Sequence, residues 1–397
     1  MKKHLLFFAG LLTVVLLAAC GPKGAAPTSL EDTPPNHYLR GMELVDAGNL
    51  GEAQTRFARA LELDPKYAPG FAGQALLAAL NAGALPAGKD REGATDAFRA
   101  LLDKGYAKAA TPAEKFIVAV TGVRAETAAK DARWIQAVEK WDAKGRVIKD
   151  VDEGALPYYR NVEALPFFMG KAWFEAGDYA KAKASLGAVV GTDVGKWHRP
   201  ANDLYARIQK IEQAAANYTV TGVSWAIAAK DSVSRADVAA LIVNELNLPK
   251  LFGKLSAAEP KADFVPADVS GHTFQVEIVE ILKWNVRGLE PTYNATARAE
   301  LFLPGEPVSR KEMALTLEDI LIKVSGDESL ATRYFGQENS PYADVKPTEA
   351  HYNAVVNVVT RNLMETDLSG NFRPEDDLDG AELLLAVVRL RNAVNAD

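Results

Sequence analysis

Phe302-Leu303-Pro304-Gly305-Glu306-Pro307-Val308-Ser309-Arg310-Lys311-Glu312 and Phe372-Arg373-Pro374-Glu375-Asp376-Asp377-Leu378-Asp379-Gly380-Ala381-Glu382 align without a gap, and aromatic, proline, aliphatic and glutamate coincide. An earlier copy, residues 227–237, ends in Val233-Ser234-Arg235-Ala236-Asp237 at the same spacing. Each copy leads from a turn into an apolar stretch of helical period, over 238–246, 313–322 and 383–390. The Ser or Asp before each stretch suits an N-cap, whose side-chain oxygen accepts an otherwise orphaned helix N–H. The acid three residues on completes a capping box.

A first half precedes the later two copies. Ala267-Asp268-Val269 leads into a helix expected over 274–284 that stops at Asn285, and Tyr342-Ala343-Asp344-Val345 leads into one over 351–361 that stops at Asn362. Asparagine tolerates the left-handed conformation that ends many helices. The first copy has no such half before Tyr218, unless a helix over 204–216 serves.

The order of these motifs, over residues 226–394, resembles the S-layer homology (SLH) domain in three copies. In that family three motifs pack as a pseudo-threefold unit whose grooves hold anionic cell-wall glycan, with the arginine of a Thr-Arg-Ala-Glu signature on the carbohydrate. The resemblance therefore implies glycan contacts at Ser234, Arg235 and Asp237 and at Ser309, Arg310 and Glu312. The third copy reads Asp379-Gly380-Ala381-Glu382, without arginine, which implies no functional third groove. Arginine offers a planar fork for a carboxylate or phosphate oxygen, and an aromatic gives a sugar a flat apolar face. Trp284 is the first candidate for that face, followed by Tyr293, Tyr334 and Tyr342. The alternative is structural: the arginines pair with acids at the helix starts, and Trp284 is core.

The preceding half carries a different repeat. Residues 38–65 read YLRGMELVDAGNLGEAQTRFARALELDP and residues 167–190 read FFMGKAWFEAGDYAKAKASLGAVV. Gly41, Gly48, Ala53, Phe57 and Ala60 of the first fall on Gly170, Gly177, Ala182, Leu186 and Val189 of the second. This register is similar to a tetratricopeptide repeat (TPR), in which small residues let two helices touch and a large one fills the space beyond. Ala94, Phe98 and Leu101 continue the second-helix pattern, and 112–125 with 132–143 give a further degenerate pair. The expectation is four helix pairs and a closing helix over 200–216. Such solenoids usually bind polypeptide.

At the start, Lys2 and Lys3 precede an apolar stretch too short to span a bilayer, then Leu17-Ala18-Ala19-Cys20-Gly21. This looks like a bacterial lipoprotein signal with its lipobox, so the mature chain is expected to begin at a lipidated Cys20, the only cysteine. Gly, Pro, Ala, Ser and Thr dominate 21–35, read as a flexible tether. Removing 1–19 takes away Lys2 and Lys3 and no acid, moving the net charge from −7 to −9. An acidic chain argues against nucleic acid as a partner.

No catalytic constellation emerges. The five histidines are scattered without metal-ligand spacing, no nucleophile elbow, phosphate loop or dinucleotide fingerprint occurs, and the acid-rich turn 367–371 lacks the spacing of a calcium loop. No metal, cofactor or enzymatic activity is expected. The sequence thus predicts an all-α chain: a signal peptide (1–19), a lipidated tether (20–34), a TPR-like helical solenoid (35–217) and an SLH-like pseudo-threefold domain (218–397). Its expected role is to tether a membrane, through the lipid, to peptidoglycan or a secondary cell-wall polymer. If the cell has two membranes, Gly21 points to the outer one, facing the periplasm. The alternative is an envelope scaffold that binds a protein partner through the TPR-like groove.

Overall fold

The computed structural model describes residues 24–192, 195–216, 221–255 and 264–395, so the lipobox at Cys20 lies outside the described residues. These are mostly helical, with a single two-stranded sheet among them. The chain divides into two compact units between Tyr205 and Ala206.

In the first unit helices pack in consecutive pairs: α1 (Pro34–Asp46) with α2 (Leu50–Leu63), α3 (Ala68–Ala84) with α4 (Lys89–Lys108), α5 (Pro112–Ala129) with α6 (Trp134–Arg146), and α7 (Ala164–Glu175) with α8 (Tyr179–Val190). The first helices also pack in a row, α1 on α3, α3 on α5 and α5 on α7. Local chemistry sets the starts. Thr33, Asn49, Thr111 and Asp178 each accept an N–H of the first turn of their helix. Gly48 and Gly177 have φ of 76° and 75°. In both turns the same two bonds form: Gly48 and Asn49 donate to Val45 and Leu44, and Gly177 and Asp178 donate to Phe174 and Trp173.

The small residues are sterically required. A Cβ at Gly41 or Gly73 would fall within 3.0 Å of the Phe57 ring, and one at Gly170 would fall equally close to Leu186. Phe57 is fully buried between two glycine-bearing helices. On α4 Phe98 is buried as expected, but the positions flanking it move by one residue: Thr95 and Leu102 are buried, whereas Ala94 and Leu101 are partly exposed.

The described part of the expected tether is held to the fold. The Ala25 N–H donates to the Glu62 carbonyl at 2.7 Å, and Arg59 bonds Asp32 at 2.5 Å and the Ala26 carbonyl at 3.3 Å. Thr28 and His37 also bond Asp32. Gly, Pro and Ser remove periodicity from 24–33, but they do not prevent backbone and carboxylate bonding to α2.

The unit boundary lies inside α9 (His198–Ala215), not at 217/218. Twelve positions separate the end of α9 at Ala215 from Ile227, and twelve separate Thr360, the end of α15 (Tyr352–Thr360), from Phe372. The later part of α9 therefore stands at the same spacing before copy one as α15 does before copy three. The remaining helices are α10 (Gly222–Ala228), α11 (Arg235–Leu246), α12 (Leu248–Leu255), α13 (Gln275–Lys283), α14 (Arg310–Ser325) and α16 (Gly380–Asn395). Asn285 and Asn362 take φ of 48° and 55°, the left-handed stops expected of them.

The mostly helical structure agrees with the all-α expectation, and one short hairpin is added to it. Seventeen positions separate Asn285 from Phe302 but only ten separate Asn362 from Phe372. The surplus folds as a hairpin of β1 (Thr292–Asn294) and β2 (Ala299–Leu301), pairing Tyr293 with Glu300.

Three backbone bonds join the copies in a cycle. The Val233 N–H donates to Leu378, Leu378 to Val308, and Val308 back to Val233, at 3.0, 2.9 and 3.0 Å. All three side chains are buried. Within copies two and three, Asp268 accepts the N–H groups of Phe302 and Leu303, and Asp344 those of Phe372 and Arg373.

Arg59, then Thr28 and His37, hold the Asp32 carboxyl well below the usual carboxylate range. A depressed carboxylate stabilises above its unfolded value and loses that contribution as pH falls toward the folded one. Hydrogen exchange should therefore show the Ala25 amide protected at pH 5 and progressively exposed below about pH 4, whereas Arg59→Ala should expose it at pH 7 as well.

Candidate functional site

Two second-half helices start with the reciprocal box their sequence predicts, and the third forms one of its two bonds. Ser234 accepts the Asp237 N–H while Asp237 accepts from Ser234, and Ser309 and Glu312 form the same reciprocal box. Asp379 accepts the Glu382 N–H at 2.8 Å. Each start then docks on the turn of another copy. The N–H groups of Arg235 and Ala236 donate to Glu306 and Pro304, those of Arg310 and Lys311 to Asp376 and Pro374, and that of Gly380 to Lys230.

The arginines reach across the same junctions. Arg235 donates from Nε to the Phe302 carbonyl at 2.7 Å, from Nη1 to Gly288 at 3.0 Å and from Nη2 to Glu290 at 2.9 Å. Arg310 donates from Nε to the Phe372 carbonyl at 2.7 Å and from Nη2 to the Glu365 carbonyl at 2.6 Å, and Nη1 pairs with the Glu382 carboxylate. Each guanidinium lies 4.8 Å from the ring of that phenylalanine. Arg310 is only 1% exposed. Burial pushes its pKa down to about 10, so it stays charged at pH 7. Burial also lowers that of Arg235, which keeps an exposed edge at Nη2.

The third junction has no arginine, and its backbones lie closer together. By the alignment Gly380 stands where Arg235 and Arg310 stand, and Ile227 where Phe302 and Phe372 stand. A Cβ at Gly380 would collide with the Ile227 carbonyl oxygen, so the backbones approach too closely for any side chain. The positive charge comes from the other side of the junction: Lys230 Nζ meets both oxygens of Asp237 at 2.7 and 2.8 Å.

The motif residues thus fall at two junctions, Ser234, Arg235 and Asp237 at one and Ser309, Arg310 and Glu312 at the next. The contacts of Trp284 lie elsewhere. It is 8% exposed, donates to Glu280 at 2.6 Å, and meets the Phe252 ring edge-on at 5.2 Å. Tyr342 is buried, Tyr334 partly so, and Tyr293 exposed on the hairpin. Sequence reasoning missed Lys230 and the Glu318 network. Buried Glu318 accepts from Asn353 at 2.5 Å and Asn357 at 2.6 Å and pairs with Arg287. The two asparagines, four apart on one face of α15, were the available signal.

With the junctions established, comparison with known families bears on the third copy. Residues 341–384 match the S-layer homology domain. The matched stretch contains Asp344, the left-handed stop Asn362, the Phe372 turn and the Gly380 helix start. No curated protein and no solved structure matches the chain.

Arg310→Ala should destabilise the chain by about 3–5 kcal/mol in urea unfolding, because it strands a buried carboxylate and two carbonyls. Arg235→Ala should cost about 1–3 kcal/mol, since its partners are all carbonyls and partly solvated. Gly380→Ala, which by helix propensity alone would gain up to about 1 kcal/mol, should instead lower stability measurably, because backbone must move to admit the methyl.

Proposed function

We propose that this chain is a non-enzymatic envelope lipoprotein that links a membrane, through lipid on Cys20, to peptidoglycan or a secondary cell-wall polymer. The SLH match at 341–384 carries this reading: such domains generally bind secondary cell-wall polymers, which implies an envelope location. The cyclic bonding of Val233, Val308 and Leu378 supports extending it to a pseudo-threefold set of three copies. The matched glycine contacts of Gly41 and Gly170, and the row of first helices, support a TPR-like solenoid as spacer or protein-binding surface. Among the described residues no helix is long and apolar enough to cross a membrane. Lipid at one end and a glycan contact at the other act bivalently, so modest affinity at the wall suffices.

A second reading, an envelope scaffold in which the SLH-like unit is structural, draws on the burial of Arg310 inside a junction. A pull-down of the mature chain with purified sacculi, before and after attached polymers are stripped, separates the two. The tether reading predicts retention that falls on stripping if polymer is the ligand and persists if peptidoglycan is. A folded chain that stays in the supernatant in both cases contradicts it and favours the scaffold.

A further inference from the structure

The first unit holds a cavity of about 460 Å3, a size usual for small-molecule sites, between α4 and the connection from α5 to α6. Arg91, Thr95 and Arg99, spaced four apart, bring one face of α4 to it, and Asp131 and Arg133 line the other side. It is a different cavity from the one of about 380 Å3 along the row of first helices, where Val45 of α1, Leu76 of α3, Arg124 of α5 and Phe168 of α7 meet.

Most of the charge around the α4 cavity is already committed. Arg99 pairs with Glu126 at 2.6 Å and with Asp131 at 3.0 Å, and Lys130 pairs with Glu175 at 2.6 Å. Arg91 donates to the main-chain carbonyls of Leu85, Ala129 and Lys130. Three lining side chains have no ion pair: the acids Glu92 and Asp96 on α4, and Arg133 from the α5–α6 side. All three are exposed. One cavity therefore offers uncommitted charge of both signs.

Buried polar atoms at the same place lack partners. Thr95 lines the cavity and is only 3% exposed, yet its hydroxyl makes no hydrogen bond, and neither does the buried Nε of Arg91. A threonine inside a helix commonly returns its hydroxyl to the carbonyl four residues back. Thr121 does so to Ile117 and Thr127 to Val123, each at 2.7 Å. Thr95 does not, so its hydroxyl has given up water with nothing in return, a cost that a polar ligand in the cavity would offset.

We propose that this cavity binds a zwitterion, a free amino acid or a short peptide with free ends, whose carboxylate takes Arg133 and whose ammonium takes Glu92 and Asp96, with the Thr95 hydroxyl completing the polar contacts. Charge-assisted bonds at both ends of the ligand supply the attraction and set its direction. The site lies outside both repeated motifs and is independent of the tether reading.

The test is isothermal titration calorimetry of the full mature chain with alanine, trialanine, N-acetyl-trialanine and trialanine amide at millimolar concentration. Trialanine or alanine should bind, whereas the acetylated peptide, without its ammonium, and the amide, without its carboxylate, should bind at least roughly tenfold more weakly. Tighter binding of trialanine than of alanine assigns the site to peptides, the reverse to free amino acids, and either supports it. Arg133→Gln, Asp96→Asn and Thr95→Val should each weaken binding roughly tenfold, and Lys108→Ala, on α4 but away from the cavity, should not. Thr95→Val should also melt no lower than wild type, because it removes an unpaired hydroxyl and keeps the shape, so its loss of binding would not be a loss of fold. No binding of alanine or trialanine overturns the site. Affinity unchanged in the three variants places the ligand elsewhere and overturns it as well. Equal binding of the capped peptides overturns the zwitterion assignment.

Discussion

Val233, Val308 and Leu378 exchange backbone hydrogen bonds around a closed cycle, and the placement of the three helix starts at Arg235, Arg310 and Gly380 follows from it. None of the three N–H groups has its partner within its own copy. Each buried donor left unmade costs about 1–3 kcal/mol, so the cycle closes fully only when all three copies are present. Once it is closed, Arg235, Arg310 and Gly380, each two residues after a cycle member, face the turn of a neighbouring copy.

The junctions then solve one problem in two ways. Where the gap between turn and helix start is wide, an arginine bridges it, taking carbonyls that no helix or strand of its own can satisfy. Where the gap closes, glycine is the residue that fits, and Lys230 restores the positive charge beside the helix-start acid. At the third junction the glycine is accompanied by a close backbone approach that leaves no room for a side chain. The same steric logic operates in the first unit, where glycine permits Phe57 to sit between two helices.

Much of this was legible in the chain. The capping boxes, the left-handed asparagines, the paired helices and the glycine turns all depend on residues close in sequence, and local spacing reports them directly. What was not legible depends on partners far apart. The acceptors of Arg235 are main-chain carbonyls, which have no sequence signature, so its structural role could not be told from a ligand-binding one. Gly380 read as a decayed motif because its reason is a carbonyl of Ile227, more than a hundred residues earlier. Residues 24–33, mostly small and polar, read as tether because the bonds that hold them run to α2.

The account turns on Arg310 acting as a staple between copies two and three. A double-mutant cycle of Arg310→Ala and Glu382→Ala, read by urea unfolding of the mature chain, tests this most directly. The account predicts a coupling energy of about 1.5–3 kcal/mol, as for contacting charged residues in one buried network. Additive losses, with coupling near zero, would show that the two side chains act independently and would contradict it.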